Sequence, residues 1–255
     1  AFETFEKNAK EDTRLIKAKT SDNPYLPEGF IDSLLENYPP QLIQAYLNGN
    51  FTNLTTGAVY SRFDRSKHVI DKLPFPIENE IIKIGIDFNV MNCNAVVCVT
   101  TGDKLIIIDE IIKQVDTDAL AKEIVRRYGR NKILVYPDAS GANRSTINAS
   151  KTDIAILQSY KFTSMALRSN PPIKDRVQTL QALLENSKGR VRVAIHARCR
   201  RLIECLELQS YDEKTGDPDK QNGYDHLNDA LGYLCYKEFN MIYSRAGNKT
   251  GIRIY

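Results

Sequence analysis

The 255 residues include no tryptophan, only 3 methionines and only 3 histidines. No apolar run approaches the roughly eighteen residues of a membrane span, and no secretory signal opens the chain. Cysteine is scarce and odd in number: Cys93, Cys98, Cys199, Cys205 and Cys235 form no Cys-x-x-Cys pair. That argues against a disulfide framework and against a thiolate zinc site, and favours a reducing cytoplasm. A phosphate-cradling G-x-x-x-x-G-K-[ST] loop is missing as well. Gly247-Asn248-Lys249-Thr250 lacks the leading glycine and a following helix, so the chain is expected neither to bind nor to hydrolyse ATP. Ala1 rather than Met comes first, as expected of a piece of a longer protein.

At 42% hydrophobic and 26% charged residues, the chain can bury a core. Its net charge of +3 hides a division. Residues 1–80 hold 9 basic and 12 acidic side chains, whereas residues 81–255 hold 26 and 20. The positive balance belongs to the second part. Between Lys188 and Arg201 lie Lys188, Arg190, Arg192, Arg198, Arg200 and Arg201 with no acid among them. Such a stripe suits a polyanion, or almost equally a solvated face.

Residues 1–80 read as an appendage punctuated by Asp22-Asn23-Pro24 and Tyr38-Pro39-Pro40. Short helices are expected over Pro27–Tyr38 and Gln41–Asn48, and a linker at Leu73-Pro74-Phe75-Pro76. From Ile81, the runs Ile81–Phe88, Ala95–Thr101 and Lys104–Ile111 predict three strands joined by short connections. Asp116 or Thr117 then caps a helix to Tyr128, with Leu120, Ile124 and Tyr128 on one stripe, and Lys132–Pro137 is a fourth strand. This β-β-β-α-β order predicts an α/β fold with a mixed sheet, its fourth strand returning parallel to its first. Further helices are expected around Ile154–Tyr160, Lys174–Asn186, Arg198–Glu207 and His226–Phe239. Strands are expected around Phe162–Leu167 and Val191–Ile195, and a polar hairpin at Tyr211–Gly223. The main domain is placed at 81–243, with 244–255 as a tail.

Asp87 ends the first strand in Ile84-Gly85-Ile86-Asp87-Phe88, and Asp138 ends the fourth in Val135-Tyr136-Pro137-Asp138. If those strands are parallel neighbours, both carboxylates emerge at one edge, where open α/β sheets place ligands. Neither charge is welcome beside an apolar strand unless paired or bound to a cation; ordinary turn-capping acids are the competing reading. Asp225 and Asp229, four apart, share one helix face flanked by His226, and Gly232 leaves room beside it. Like charges at that spacing cost about 0.2–0.5 kcal/mol on an exposed helix, a sign that a divalent cation reverses. Aspartates without thiolates favour Mg²⁺ or Mn²⁺, and a pair of such ions suits phosphodiester cleavage.

These segments resemble the nuclease domain of the large terminase subunit of tailed bacteriophages, the motor that packages and cuts viral DNA. Ile84–Asn89 resembles its first metal-binding strand, Tyr136–Gly141 its second acidic motif, and Asp225-His226-x-x-Asp229-Ala230 with Tyr233 its carboxyl-terminal motif. Thr20–Tyr60 is similar to the segment joining the packaging ATPase to the nuclease. The resemblance implies an RNase H-like mixed sheet flanked by helices, with residues 1–80 as a small helical appendage from the ATPase side. It implies a metal-dependent endonuclease that cuts double-stranded viral DNA concatemers with little sequence preference, in the host cytoplasm during phage assembly. Asp87 would bridge two Mg²⁺ or Mn²⁺ ions, and Asp138 and Asp229 would complete their shells. Asp225 and His226 would ligate metal, orient water or meet the scissile phosphate. The implied partners are double-stranded DNA, the portal protein, the small terminase subunit and the ATPase domain of the full-length chain.

Arg144, Arg168, Lys174, Arg176, Arg198, Arg200 and Arg201 are candidate phosphate contacts. Asp109-Glu110 matches no ligand position and reads as structural, while His68 and His196 have no visible partners. Two other readings stay open. One is a non-catalytic module that docks DNA and portal; the other is a sugar-kinase-like ATPase half, whose group also opens on a Gly-x-Asp strand.

Overall fold

The computed structural model describes residues 18–38, 43, 47, 57–89, 92–142 and 152–239. Most of the expected Gln41–Asn48 helix, Arg144 and the tail 244–255 lie outside the described residues. The strands are β1 Val69–Ile70, β2 Ile82–Asp87, β3 Cys93–Thr101, β4 Lys104–Gln114, β5 Ile133–Pro137, β6 Thr163–Ser164 and β7 Val193–His196. They form one sheet in the order β1-β7-β4-β3-β2-β5-β6. As predicted, β2, β3 and β4 meander antiparallel and β5 returns parallel to β2. On the other side β7 joins β4 in parallel and β1 joins β7.

The helices are α1 Phe30–Asn37, α2 Arg65–His68, α3 Thr117–Tyr128, α4 Asp153–Ser159, α5 Ile173–Leu184, α6 Arg200–Leu208 and α7 Asp225–Phe239. Asp116 caps α3, its Oδ1 accepting from the Ala119 N–H at 2.7 Å. The run at 162–167 yields only the two residues of β6, which pair on one side alone, with β5. Unexpected from the sequence, Val69 and Ile70 pair with Ile195 and His196 as β1. A two-residue edge strand has no periodicity to read.

Alternation along β2 divides the molecule into two cores. Ile82, Ile84 and Ile86 pack with Leu120, Ile124 and Tyr128 of α3. The opposite face of the sheet packs against α5, α6 and α7, together with Val59 and Tyr60 from before the sheet. There Gln181 Nε2 donates to the Val59 carbonyl at 2.8 Å. Alternation along β4 sends its two adjacent acids to different helices. Asp109 accepts from Arg127 and Tyr128 of α3. Glu110 accepts from the backbone N–H of Arg201 and Leu202 at 3.0 and 2.8 Å, capping α6, whose own N-cap residue makes no side-chain bond. All five cysteines are buried and free. Among the described residues, no helix is long and apolar enough to cross a membrane.

Helix α7 lies directly on β2. A Cβ on Gly85 would stand 2.1 Å from the Ala230 carbonyl oxygen, so no other residue permits this approach. The far end of α7 is fastened by Glu238, which accepts from Lys83 and Tyr136. Gly85→Ala is therefore expected to cost about 1–3 kcal/mol, the usual range for overpacking, measured by urea denaturation. A loss below about 0.5 kcal/mol would mean that α7 can retreat without penalty.

Candidate active site

The Asp138 N–H donates to the Ile86 carbonyl at 3.0 Å, immediately beside Asp87. That backbone bond brings the two strand-end acids to one carboxyl edge, as their positions predicted. Gly85 and Tyr136, one alternation earlier on each strand, both face α7, so Asp87 and Asp138 leave on the α7 side. The first turns of α7 bring Asp225, His226 and Asp229 to the same edge.

Asp87 is only 6% exposed. Its Oδ2 accepts from Asn89 Nδ2 at 2.5 Å and lies 3.2 Å from His226 Nδ1. The same histidine nitrogen is 3.0 Å from Asn89 Nδ2 and 3.8 Å from an Asp225 oxygen. Asp138 is held separately: its Oδ1 accepts from the Ser140 N–H at 2.7 Å and from Asn170 Nδ2 at 2.6 Å. Asp229 Oδ1 accepts from Arg176 Nη1 at 2.8 Å. Nothing local marks Asn170 in Ser169-Asn170-Pro171 as a site residue, because its partner is 32 residues away.

Burial pushes the Asp87 carboxyl above its ordinary range; the His226 hydrogen bond and charge pull it back, and Asp138 and Asp225 push again. Burial likewise raises Asp229, against the pull of Arg176. His226 is held above its ordinary value chiefly by its hydrogen bond to Asp87, opposed by burial. A buried acid raised in this way is a charge short of a counter-charge.

The donor set fits a hard cation in kind. It offers aspartate oxygens, and Asp225 Oδ1 is buried with no hydrogen-bond partner among the described residues. Among the described residues, however, no three His, Cys, Asp or Glu side chains are yet gathered as a metal-holding group. Asp229 is committed to Arg176 and Asp138 to Asn170.

The basic candidates are scattered. Arg168, Lys174, Arg198 and Arg200 are exposed. Arg168 and Lys174 flank Asn170, the partner of Asp138, in sequence. Arg198 instead lines a separate cavity of about 1000 Å³ with Arg126, Arg127 and Arg130, and none of the four aspartates borders it. Arg201 is half-buried, paired with Glu204 at 2.6 Å, 4.7 Å over the Tyr224 ring and donating to the Gly223 carbonyl. It fastens the chain just ahead of α7. Arg176 is not a surface residue: it is 5% exposed and its guanidinium serves Asp229 and the Tyr233 ring. The polar stretch after α6 does turn back on itself, Tyr211 bridging Pro218. The two remaining histidines have structural partners: His68 Nε2 meets the Leu184 carbonyl at 2.9 Å, and His196 Nδ1 accepts from the Arg198 N–H.

Residues 84–238 match the family model described as Terminase RNaseH-like domain. The chain belongs to that terminase family. Among solved structures, the large terminase from the thermophilic bacteriophage D6E is similar over 86% of this chain and 53% of its own, at 18% identity and a TM-score of 0.67. The P22 large terminase nuclease domain is similar over 71% of this chain and 91% of its own, at 16% identity and a TM-score of 0.54. The terminase chain described here thus spans about half the length of the D6E protein. At such identities the likeness speaks for the fold, an RNase H-like mixed sheet with helices on both faces. No curated protein matches the sequence.

The terminase edge has a pH signature. Because burial raises Asp87 above its unfolded value, ionising it costs folding free energy as pH rises through the folded-state pKa. The raised His226 acts in the same direction, since its contribution is complete below its unfolded value of 6.5 and fades as pH rises through its folded value. Asp87→Asn is thus expected to melt at a higher temperature than the parent in metal-free buffer at pH 7.5, with the gain shrinking toward pH 4. A variant that melts lower at pH 7.5 would show that Asn89 and His226 more than offset the burial of the charge.

Proposed function

We propose that this chain is the cutting part of a phage genome-packaging motor, a divalent-metal-dependent endonuclease acting on double-stranded viral DNA concatemers with little sequence preference. The observation that carries the reading is the meeting of Asp87, Asp138, Asp225, His226 and Asp229 at one sheet edge in a terminase-family fold. Asp87, Asp138, Asp225 and Asp229 would hold Mg²⁺ or Mn²⁺, two ions if the sequence resemblance extends to their number. Such ions supply Lewis-acid polarisation of phosphate and ease the ionisation of water.

The remaining work belongs to the chain. Asn89 and Asn170 each donate to one carboxylate and fix its direction, as outer partners do around metal ligands. His226, steadied through Nδ1 and held above its ordinary value by Asp87, is placed to give a proton to the 3′ oxygen as its bond to the scissile phosphate breaks. Arg168 and Lys174 take backbone phosphates, giving affinity without sequence readout. Residues 1–80 then lead from the ATPase domain, 81–243 cut, and the portal protein and small terminase subunit are partners in the host cytoplasm during assembly.

Plasmid cutting by the purified chain should require Mg²⁺ or Mn²⁺, stop with EDTA, and fall about 10³-fold or more in Asp87→Ala. Glu110→Ala removes a helix cap away from the edge; it should lose about 1–2 kcal/mol of stability and keep cutting. Unimpaired cutting by Asp87→Ala, with contaminants excluded, overturns the nuclease reading. Tight DNA binding without cleavage at any metal concentration selects the docking reading instead.

A further inference from the structure

Asp229 and Tyr233 are four residues apart on one face of α7, and α5 inserts Arg176 against both. Arg176 Nη1 lies 2.8 Å from Asp229 Oδ1, and the guanidinium carbon stands 4.4 Å above the Tyr233 ring. Gly232 faces the same arginine: a Cβ there would stand in ordinary contact with Arg176 Cβ at 3.4 Å and Cδ at 3.6 Å. Yet the arginine is incompletely satisfied, since its Nε is buried with no hydrogen-bond partner among the described residues. Across the same edge, Asp225 Oδ1 is also buried and unpartnered. One guanidinium thus faces more buried negative charge than it offsets, and Asp87 and Asp229 both stay above the ordinary carboxylate range.

We infer that Arg176 is a built-in counter-cation for Asp229, occupying that carboxylate until a divalent ion displaces it. The inference rests on the reading of Asp229 as a metal ligand. A guanidinium and a divalent ion drawn to one half-buried carboxylate repel each other, and the lowered local dielectric strengthens that repulsion. Because Arg176 holds Oδ1, an ion seated on that oxygen together with Asp87 and Asp225 requires the Arg176–Asp229 pair to open. Tyr233 gives the released guanidinium a ring to remain against. The pair keeps Asp229 neutralised when no metal is present and sets a threshold that the metal concentration must pass.

The test is Mn²⁺ binding by titration calorimetry, with thermal melts in EDTA and in saturating Mn²⁺. Arg176→Gln keeps an amide donor and drops the charge. It is expected to bind Mn²⁺ about tenfold more tightly or better, to melt below the parent in EDTA, and to gain more from Mn²⁺ than the parent does. Unchanged or weaker Mn²⁺ affinity in Arg176→Gln overturns the inference and leaves Arg176 as a positioning residue that orients Asp229. If that variant does not fold, the parent decides: the Arg176 Nε–H resonance should shift on Mg²⁺ saturation, and a resonance that stays put overturns the inference. Asp229→Asn separates the two ideas. Lost Mn²⁺ binding in it upholds the metal reading whatever Arg176 does, whereas a parent that binds neither ion overturns both.

Discussion

The carboxylate edge depends on one backbone contact, the seating of the Ala230 carbonyl against Gly85. Asp87 is two residues further along β2 and Asp229 is the residue before Ala230, so their meeting is set by that contact rather than by attraction between them. Attraction could not do it, because the two are like charges and Asp87 raises the pKa of Asp229. The helix is pressed onto the strand from elsewhere: by apolar packing of Leu227, Leu231 and Leu234 and by Glu238 closing on Lys83 and Tyr136. Packing energy gathered along the whole of α7 holds together charges that would otherwise separate.

That arrangement has a stability cost concentrated at the edge, and the surrounding residues limit it one acid at a time. Asn89 and His226 serve Asp87, Asn170 and the Ser140 N–H serve Asp138, and Arg176 serves Asp229. Asp225 keeps one oxygen without a hydrogen-bond partner among the described residues. The contrast with β4 is instructive. Asp109 and Glu110 are also strand acids, but each finds complete structural partners in Arg127, Tyr128 and the amino end of α6. Acids whose two oxygens both have protein donors belong to the scaffold, even where burial raises them as it does Glu110; acids with an oxygen left over remain available for a ligand.

What the sequence made legible follows from the range of the signal. The meander, the α3 stripe and its cap, and the parallel return of β5 rest on local periodicity and capping, and all formed as read. The convergence of Asp87 and Asp138 followed from strand parity, and Asp225 with Asp229 from helical spacing. Asn170 and Arg176 were not legible in their roles, since each acts on a carboxylate far along the chain; for Arg176 the separation is 53 residues. In sequence Arg176 is one cation among many, and only burial between α5 and α7 distinguishes it from Arg168 or Lys174. The division of Asp109 from Glu110 follows strand alternation, but the helices they meet lie elsewhere in the chain and leave no local trace.

The charge distribution completes the argument. A net positive chain with four aspartates at one edge looks contradictory only if the basic residues are imagined as a single field. They are not one field. Arg176 and Arg201 are spent on internal pairs, Arg198 joins a cluster of arginines at a cavity bordered by none of the edge acids, and Arg168 and Lys174 remain on the segment that carries Asn170. Under the proposed reading the separation is necessary. Cations packed among the four aspartates would compete with the metal for their oxygens, whereas cations on the rim draw the phosphate backbone toward an interior that stays negative. Arg176 does enter that interior, and its position therefore needs a reason beyond DNA affinity.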